Sequence, residues 1–466
     1  MMKTNARRLT AALSALTLVL LLGACATATD APTHPAPLPA AYVESESGAK
    51  AAPAADWWRG FGSAELSSLI DAALITNPDL QMAAERVRQA QAQAVVANAS
   101  LFPALAFGAG AARRETRGGD TGDAGSSSFN ATLNASYEVD LWGQNRSAAR
   151  SAEFALRATR FDQETVRLSL ISGVASGYFQ LLAVRERLRL AQENLGIAAR
   201  VLKVVQVRAD NGAVSSLDVA RQQTALLAQQ AALLPLALQE RQLGFALAVL
   251  MDRAPQNFSV GAAPLMTLGV PDVGAGLPSQ LLLRRPDLAS MEAQLAGANA
   301  NVAVARAALL PSISLTGSAG AASATLGELV SAPALTFALG ASLLQPIFDG
   351  GRLRAQVDVA ASQERSLVLG YRKAILAALV EVESALAARS RYGQQEVLLT
   401  QAQQQAAQIL RLAQVRYREG SDDLLVLLDA QRTLFQADDQ LAQIRQSRLQ
   451  ATLDLIKALG GGWQSD

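Results

Sequence analysis

Two long stretches of this chain repeat one another at a constant distance. The segment LITNPDLQMAAERVRQAQAQAVVANASLFPALAFGAG begins at Leu74, and the similar segment LLRRPDLASMEAQLAGANANVAVARAALLPSISLTGSAG begins at Leu282. Pro78 matches Pro286, 208 residues further on, and QVRADNG matches QVRYREG at the same spacing. A spacing that stays constant over such a length indicates an internal duplication. We place the first repeat at residues 56–270 and the second at 271–466.

Each repeat combines a capped helix, a pair of strands and long helices. Asn77 is placed to cap the first helix, and Pro78 lies in its first turn. A strand pair follows Pro103 and another follows Pro311. In SFNATLNASYEVDLW apolar and polar residues alternate without a break, which predicts a strand with one apolar and one polar face. The four predicted strands lie at about residues 103–115, 128–142, 311–320 and 333–346.

These strands are long enough to cross a membrane, which takes about 9–11 residues. A strand edge cannot remain unpaired in lipid, so a sheet that spans a membrane must close on itself. The smallest barrels of this kind have about eight strands, whereas one chain supplies the four listed above. The pattern therefore predicts an oligomer. The alternative is a soluble β-layer packed on the helices.

The remaining long segments have the pattern of coiled-coil helices. Apolar residues recur at spacings of three and four from Leu217 to Leu238, and seven apart from Leu428 to Ile456. Such a repeat keeps a narrow seam against a neighbouring helix. A free-standing coiled coil or a bundle without a channel is the alternative, and the strand pairs between the helices favour a channel wall. The helices are predicted at residues 145–209, 213–250, 350–419 and 424–459.

The N-terminus has the pattern of an exported, lipid-anchored protein. Basic residues precede an apolar stretch that is too short to span a membrane, and LGAC ends at Cys25, the single cysteine. This arrangement predicts a signal peptide at residues 1–24 and acylation of Cys25, by palmitate for example; the alternative is an ordinary secretory signal with an inert cysteine. LGAC resembles the bacterial lipobox, and Ala26 follows its cysteine where an Asp would argue for retention in the inner membrane, so the resemblance points to the outer membrane. The Pro- and Ala-rich residues 25–55 are predicted to form a tether. After the signal we expect no membrane-spanning helix.

Composition excludes several classes of function. The chain has 41 Lys+Arg and 40 Asp+Glu, so it lacks the basic excess that binds nucleic acid. Its single histidine, His34, lies in the predicted tether, which argues against zinc sites and nucleophilic triads. No G-x-x-x-x-G-K-[ST] phosphate loop occurs. We therefore expect no enzyme activity, no metal site, and no cofactor except the covalent lipid on Cys25.

Several motifs are together similar to one family. They are WWRGFGSAELSSLI, LPSQLLLRRPDL, ARAALLPSISLTG, LLQPIFDGGRL and VRYREGSDDLLVLLDAQRTLF. On these motifs the chain resembles the outer membrane factors of tripartite efflux systems, the TolC-like proteins, and most closely their lipoprotein branch. The resemblance implies a mixed α and β membrane protein. In it, three chains of four strands each would form one twelve-stranded outer-membrane β-barrel, continuous with a long periplasmic α-helical barrel.

The same resemblance implies a function and partners. The chain would be a passive exit duct that exports small molecules, such as drugs or toxic organic compounds, and so contributes to antibiotic resistance. It would act as a lipid-anchored homotrimer with a periplasmic adaptor protein and an inner-membrane pump of the RND type. The alternatives are a structural coiled-coil lipoprotein without a pore, and an exit duct for metal ions or for type I protein secretion.

The resemblance also implies a periplasmic gate in the second repeat. Leu425 matches the position of an apolar ring and Asp429 that of an anionic ring. Tyr417 and Arg418 match residues that tie an inner helix to its neighbour in the closed state. Three Asp429 carboxylates near a threefold axis would repel one another, which favours cation binding or partial protonation. Further charged residues near the two related turns are Arg432, Asp422 and Asp423 in the second repeat and Asp218 and Arg221 in the first.

Overall fold

The computed structural model describes residues 38–44, 53–116, 124–331 and 333–464. These residues form two compact units. The first unit comprises the described residues within 88–158 and 291–370, and the second comprises those within 36–87, 159–290 and 371–466. Cys25, the signal segment and most of the tether lie outside the described residues, so the acylation of Cys25 stays a prediction.

The first unit contains one antiparallel sheet of four strands in the order β1-β2-β3-β4. The β2–β3 pair joins the two repeats. In the part of the chain that the structure describes, no strand lies beside the outer edge of β1 or of β4. The strands are β1 (Ala104–Thr116), β2 (Ala124–Glu138), β3 (Ser312–Ser323) and β4 (Ala334–Leu344).

The β2 strand differs most from its predicted bounds of 128–142. It ends at Glu138 because the Asp140 carboxylate accepts hydrogen bonds from the backbone N–H groups of Asn145 and Arg146, at 3.0 and 2.9 Å. Asp140 thus caps the following helix although it continues the alternating pattern. At its other end the strand begins earlier, since its polar residues pair with the charged end of β1, for example Ser126 with Arg114.

The other strands are shifted by only a few residues from the predicted ranges. The β3 strand continues to Ser323, three residues past its predicted end, because its partners on β2 continue as far as Phe129. The β4 strand ends at Leu344, two residues before Pro346, which has no N–H to donate to a ladder.

The sheet has one apolar and one polar face, as the alternation predicted. Phe107 lies opposite Leu133, Leu133 opposite Ala319, and Ala319 opposite Phe337, which makes one apolar row across all four strands. The neighbouring row on the other face contains only glycine and threonine. Phe337 is 78% exposed and Leu339 is 93% exposed, so the described part of the chain leaves the apolar face uncovered.

The long helices repeat with the same spacing as the sequence. Helix α2 matches α6, α3 matches α8, and α4 matches α9. In each pair the second helix begins and ends 208 residues after the first. The duplication predicted from the sequence is therefore present in the helices. They are α1 (Ala64–Thr76), α2 (Pro78–Ala99), α3 (Gln144–Asp210), α4 (Ser216–Leu250), α5 (Leu281–Arg284), α6 (Pro286–Ala307), α7 (Leu326–Ser331), α8 (Arg352–Arg418) and α9 (Leu424–Ala458).

Local sequence explains where the helices begin. The Asn77 side chain accepts a hydrogen bond from the Leu80 backbone N–H at 3.2 Å, which confirms it as the cap of α2. Helix α4 was predicted to begin at residue 213 and begins at Ser216, because Ser215 is its N-cap. The Ser215 and Asp218 side chains and backbones bond reciprocally in a capping box.

The two apolar seams differ in how far this chain covers them. In α9 the seam residues Ala442, Leu449 and Ile456 are completely buried, which confirms that this stripe packs against neighbouring helices. In α4 the equivalent stripe is uncovered: Leu227 is 64% exposed and Leu234 is 71% exposed. The seam of α4 therefore finds no partner helix within the described part of its own chain.

Two helices, α3 and α4, are long and apolar enough to cross a membrane by length and composition alone, which the sequence analysis did not expect. In the most apolar 18-residue window of α3, 56% of the residues are buried within the chain, as in the core helix of a soluble protein. The corresponding figure for α4 is 11%.

The second unit has an aromatic core that braces α1 against α3. Phe61, Tyr178 and Phe179 are completely buried, and the Tyr178 hydroxyl lies 3.1 Å from both Ser63 Oγ and Glu65 Oε2. The connector between the repeats, residues 251–280, is held by arginines of the long helices that donate to its carbonyl oxygens. These bonds are Arg185 to Val260, Arg389 to Val273, and Arg445 to Leu268.

Candidate functional site

The predicted gate residues lie around two short turns between helices in the second unit. The first turn joins α3 to α4, and the second turn joins α8 to α9. Each turn contains a glycine with positive φ, 75° at Gly212 and 76° at Gly420. In both, the next residue donates to a carbonyl five residues back: Ala213 to Arg208, and Ser421 to Arg416, each at 2.8 Å. These bonds close a Schellman motif, which only a residue tolerant of left-handed backbone accommodates well.

Tyr417 is part of a small core beneath the second turn. Only 6% of it is exposed, and it packs with Val205 of α3 and with Leu424 and Leu427 of α9. The Arg208 guanidinium lies over its ring, 5.0 Å from the centroid. Such a stack contributes about 0.5–1 kcal/mol at a partly exposed site. Tyr417 therefore joins the ends of α3, α8 and α9 within one chain.

The Tyr417 hydroxyl is buried and has no hydrogen-bond partner within the described residues. A buried hydroxyl without a partner costs about 1–3 kcal/mol. Arg418, the next residue, is exposed on the surface of α8. The sequence predicted that these two residues tie α8 to a neighbouring helix, and that role stays a prediction.

Two of the predicted acidic residues stabilise the turn itself. Asp422 accepts two hydrogen bonds from the Arg416 guanidinium, at 2.8 and 2.9 Å, and these bonds raise the pKa of Arg416. Asp423 is the N-cap of α9, and its carboxylate accepts from the Val426 backbone N–H at 3.1 Å. Both carboxylates therefore have local partners that fix the geometry of the turn.

Leu425, Asp429 and Arg432 lie on one exposed face of α9, since their spacing of four and three residues follows the helical repeat. Leu425 is 53% exposed, while Leu424 and Leu427 on the other face are buried. The Asp429 carboxylate accepts a hydrogen bond from Arg432 at 2.6 Å, with both side chains well exposed. The structure thus brings these three predicted residues together and pairs the carboxylate with a cation.

The first turn carries a related but differently charged face. By the 208-residue spacing, Leu217 is equivalent to Leu425 and Arg221 to Asp429. Leu217 is 56% exposed and Arg221 is also exposed. Asp218 belongs to the capping box, where hydrogen bonds from the Ser215 hydroxyl and N–H lower the pKa of its carboxyl. At both turns an exposed leucine is therefore followed, four residues later, by a charged residue. The charge is positive in the first turn, at Arg221, and negative in the second, at Asp429.

Sequence reasoning missed two side chains of this site. Arg208 stacks on Tyr417. The 208-residue spacing makes Arg416 its equivalent in the second repeat but does not indicate the stack, because Arg416 donates to Asp422 instead. Gln222 is completely buried and donates to the Ala198 carbonyl at 2.9 Å, which fastens α4 to α3. No sequence signal distinguishes Gln222 from the many exposed glutamines of these helices.

Within the described residues, no group of three or more His, Cys, Asp or Glu side chains is placed to hold a metal ion. The site combines exposed apolar and charged side chains on two interhelical turns that are closed by Schellman hydrogen bonds. Such an arrangement can narrow an aqueous path and set its charge.

Comparison with protein families gives one match that spans both repeats. The model described as "Outer membrane efflux protein" matches residues 69–251 and again residues 277–461. The boundaries of the two matches lie close to those of the duplication read from the sequence.

Relatives of known description cover nearly the whole chain. The "Pyoverdine export outer membrane protein OpmQ" of Pseudomonas putida is 43% identical over 459 residues, covering 97% of this chain and 97% of the relative. The "Toluene efflux pump outer membrane protein TtgC" of Pseudomonas putida is 34% identical over 453 residues, covering 95% of this chain and 94% of the relative.

Solved structures of similar fold are outer-membrane channels. The outer-membrane channel OprN has a TM-score of 0.86 and 27% identity, covering 95% of this chain and 100% of that chain. The open state of the Neisseria gonorrhoeae MtrE outer membrane channel has a TM-score of 0.85 and 32% identity, with coverage of 93% and 97%.

Proposed function

Since this chain belongs to the outer membrane efflux protein family, we propose that it is the passive exit channel of an efflux pump in the outer membrane. The observation that carries this proposal is the family match over both repeats, together with relatives named as outer-membrane efflux components over at least 95% of the chain. A channel needs no catalytic residues, and the chain belongs to a family of channels rather than of enzymes. The membrane-spanning part is the sheet, whose apolar face is exposed.

The channel is a homotrimer in this proposal. The described residues of one chain supply a sheet of four strands with two open edges, and lipid does not tolerate an open edge. Twelve strands, four from each of three copies, close one barrel. The uncovered seam of α4 supports the same conclusion, because a neighbouring copy would cover apolar side chains such as Leu227 and Leu234.

The energy for export comes from partners. The sequence has no phosphate-binding loop, so an inner-membrane pump, of the RND type, would drive export through a periplasmic adaptor protein. The two helical turns are the proposed docking end. The helix ends there are rigid, being held by the Schellman motifs and by the Tyr417 core.

The cargo is a small organic molecule. Two relatives more than 40% identical to this chain are named for pyoverdine export, and relatives near 34% are named for toluene or antibiotic efflux. We assign to this chain the export of pyoverdine or a related compound, with antibiotics and solvents such as toluene as further cargo. An accumulation assay in cells with and without the chain tests this: cells that lack it should retain labelled pyoverdine, and equal retention would contradict the assignment.

The face formed by Leu425, Asp429 and Arg432 is the proposed constriction of the channel. Leu425 narrows it with apolar surface, and the Asp429–Arg432 pair sets its charge. Tyr417 and Arg418 are the proposed link between α8 and a neighbouring helix in the closed state.

Cys25 is the proposed site of lipid attachment, which would fix the chain to the inner face of the outer membrane. Mass spectrometry of the N-terminal peptide tests this, because acylation adds the mass of the fatty acids to Cys25. A Cys25→Ser variant is the control. Unmodified Cys25 in the mature protein would contradict the assignment.

Conductance of the purified protein in a planar lipid bilayer tests the channel directly. We expect discrete conductance steps from the native oligomer and none from a sample dissociated by heat. A native preparation that forms no channel would instead support the alternative of a structural coiled-coil lipoprotein.

A further inference from the structure

The four strands connect to the long helices at one end of the sheet only. Helix α2 ends at Ala99 and β1 begins at Ala104, while β2 ends at Glu138 and α3 begins at Gln144. Strands β3 and β4 connect to α6 and α8 in the same way. In the proposed channel the long helices lie in the periplasm. The end of the sheet at Glu138 is therefore the inner end, and the end with the β1–β2 and β3–β4 hairpins is the outer end.

The two faces of the sheet carry their charges differently. Alternation along each strand assigns every strand residue to one face. At the outer end of the apolar face, the Arg113 guanidinium and the Glu115 carboxylate form an ion pair at 3.1 Å. The polar face consists of Ala, Gly, Ser, Thr and Asn, with Leu344 at the inner end of β4 and two charged residues, Arg114 and Glu138.

Arg114 lies at the outer end of the polar face. It is opposite Ser126 in the β1–β2 ladder, and it is exposed. Within the described residues no carboxylate forms an ion pair with Arg114, whereas the adjacent Arg113 is paired with Glu115. A guanidinium keeps its charge at any ordinary pH and binds carboxylate or phosphate groups through two parallel hydrogen bonds. Arg114 is therefore available to an anion from solution.

Glu138 lies at the inner end of the same face, opposite Ser314 in the β2–β3 ladder, and it is also exposed. Along β2, Glu138 is twelve positions from Ser126, the partner of Arg114. Twelve residues of strand extend for about 40 Å, or about 30 Å along the axis of a barrel whose strands tilt by about 40°. Charges are screened over about 8 Å at physiological ionic strength. The two charged positions therefore act independently of one another.

We propose that Arg114 is an anion-binding position at the outer mouth of the channel, and that it takes solutes bearing carboxylate or phosphate groups. This inference rests on the proposed barrel, in which the polar face of the sheet lines the lumen. Three copies of the chain would place three Arg114 guanidinium groups around one mouth. Rings of charged side chains of one sign select ions of the opposite sign in pores.

The order of the two charges gives the lumen a direction for anions. Glu138 raises the electrostatic energy of an anion at the inner end, and Arg114 lowers it at the outer end. The side chains between them on the polar face are uncharged. An anion that has passed Glu138 is therefore concentrated at the outer mouth, while a cation meets the two charges with the opposite effects.

Block of the channel by citrate, which carries three negative charges at pH 8, tests the anion site. The native oligomer is added to one side of a planar bilayer, so that the barrel enters first and the long polar helices stay on the side of addition. Citrate is then added to the opposite side, which is the outer side of the channel. The current is recorded as the citrate concentration rises.

Four variants separate the site from its surroundings. Arg114→Gln removes the charge, and Arg114→Lys keeps it. The matched control is Arg113→Gln, which removes the same charge from the adjacent residue on the opposite face. Ser126→Asp places a carboxylate opposite Arg114 and so neutralises the site without changing the arginine. Resistance of each oligomer to SDS without heating confirms that the variant has assembled.

We expect the citrate concentration for half block to rise about fivefold in Arg114→Gln at about 0.15 M salt. Three unit charges that act on a trivalent anion through water over roughly 10 Å contribute about this factor after screening. Ser126→Asp should weaken block to a similar degree, whereas Arg113→Gln and Arg114→Lys should be blocked like the parent.

Equal half block in the parent, Arg114→Gln and Ser126→Asp, in channels that conduct, would overturn the anion site and leave the channel itself standing. Loss of block in Arg113→Gln with none in Arg114→Gln would show that the other face lines the lumen, and would likewise overturn the proposal. A native oligomer that forms no conducting channel would overturn the proposed function as well.

Discussion

At the scale of residues, the side chains around the turn between α8 and α9 fall into two groups with different roles. Tyr417, Asp422 and Asp423 are occupied by local packing, an arginine fork and a helix cap, and they hold the turn in place. Leu425 and Asp429 face solvent on the opposite side of α9. Substitutions in the first group should change the stability of the protein, and substitutions in the second should change the ion selectivity of the channel.

Tyr417 allows the packing role to be separated from the hydroxyl role. Tyr417→Phe removes a buried hydroxyl without a partner within the described residues, so the free energy of unfolding should rise by about 1–3 kcal/mol. Tyr417→Ala leaves a cavity beside Val205 and Leu427, so the free energy of unfolding should fall by about 3 kcal/mol or more. Thermal denaturation of the oligomer measures both. Equal loss of stability in the two variants would show that the hydroxyl has a partner in the assembly.

The gate role of the same residue needs a different readout. We expect Tyr417→Phe combined with Arg418→Ser to raise the resting conductance in a bilayer, because both substitutions remove groups proposed to hold α8 to a neighbouring helix. Arg411→Ser, on an exposed face of the same helix, is the control. Resting conductance at the parent level in the double variant would remove both residues from the gate.

The Asp429–Arg432 pair predicts two opposite effects on ion selectivity. Exposed pairs of this kind contribute about 0–1 kcal/mol to stability, so neither substitution should affect assembly. Asp429→Asn should lower the preference for cations and weaken block by multivalent cations, whereas Arg432→Gln should leave the carboxylate unpaired and strengthen both. Reversal potentials under a salt gradient measure the selectivity. Unchanged selectivity and block in both variants would place the pair outside the conducting path.

Asp438 of α9 gives a pH-dependent prediction for stability. Burial raises the pKa of its carboxyl, opposed by a hydrogen bond from Gln403 and by the nearby Arg189, while Glu186 and Glu193 raise the pKa further. The charged form of Asp438 is thus disfavoured in the folded protein. The buried charge therefore lowers the free energy of unfolding at neutral pH, and this loss disappears as the pH falls through the raised pKa.

Asp438→Asn keeps an oxygen that can accept from Gln403 and removes the buried charge. The variant should therefore melt at a higher temperature than the parent at pH 7, with a difference that shrinks in acid. Asp358→Asn, at an exposed site on α8, is the control. A lower melting temperature for Asp438→Asn at pH 7 would mean that the Asp438 carboxylate is favourably paired in the assembly.

At the scale of elements, the sequence predicted the strands and long helices well because each has its own period. The alternation of SFNATLNASYEVDLW marked β2, but its end was misplaced because Asp140 fits the polar phase of a strand and also caps a helix. The seam of α9 was predicted and is buried. The identical kind of seam in α4 is exposed, which periodicity could not show, because a heptad pattern requires a partner helix without saying which chain supplies it.

The close contact between β2 and β3 at Gly320 gives the prediction at this scale. A Cβ at Gly320 would meet Thr132 Cγ2 at 2.7 Å and the Ala131 carbonyl oxygen, on the backbone, at 2.9 Å. Gly320→Ala should therefore force β2 and β3 apart and lower stability by about 1–3 kcal/mol. The control is Gly327→Ala, where nothing lies within 4 Å. The temperature at which the oligomer dissociates in SDS should fall for Gly320→Ala alone, and equal values for both variants would contradict the tight contact.

At the scale of the whole molecule, one argument joins the two units. Each unit leaves apolar surface without a cover: the sheet in the first, where Leu339 is 93% exposed, and the seam of α4 in the second, where Leu234 is 71% exposed. Among the residues that the structure describes, the sheet also has two open edges. Lipid can cover an apolar face, but it cannot satisfy the backbone groups of an open edge. Only further copies of the chain satisfy both requirements at once.

The part of the site that lies between copies was beyond the reach of sequence reasoning for the same reason. Leu425 and Asp429 could be assigned to a face of α9 by their spacing, but in the proposed channel the surface opposite that face belongs to another copy. The stacking partner of Tyr417 was likewise missed, because Arg208 is distant in sequence and comes close only through the fold.

The mass of the detergent-solubilised particle, measured by native mass spectrometry, tests this account most directly. The account predicts a particle of three chains, with four strands from each in one closed sheet. A stable folded particle of one chain would contradict it, because a four-stranded sheet with two open edges cannot form a pore in lipid.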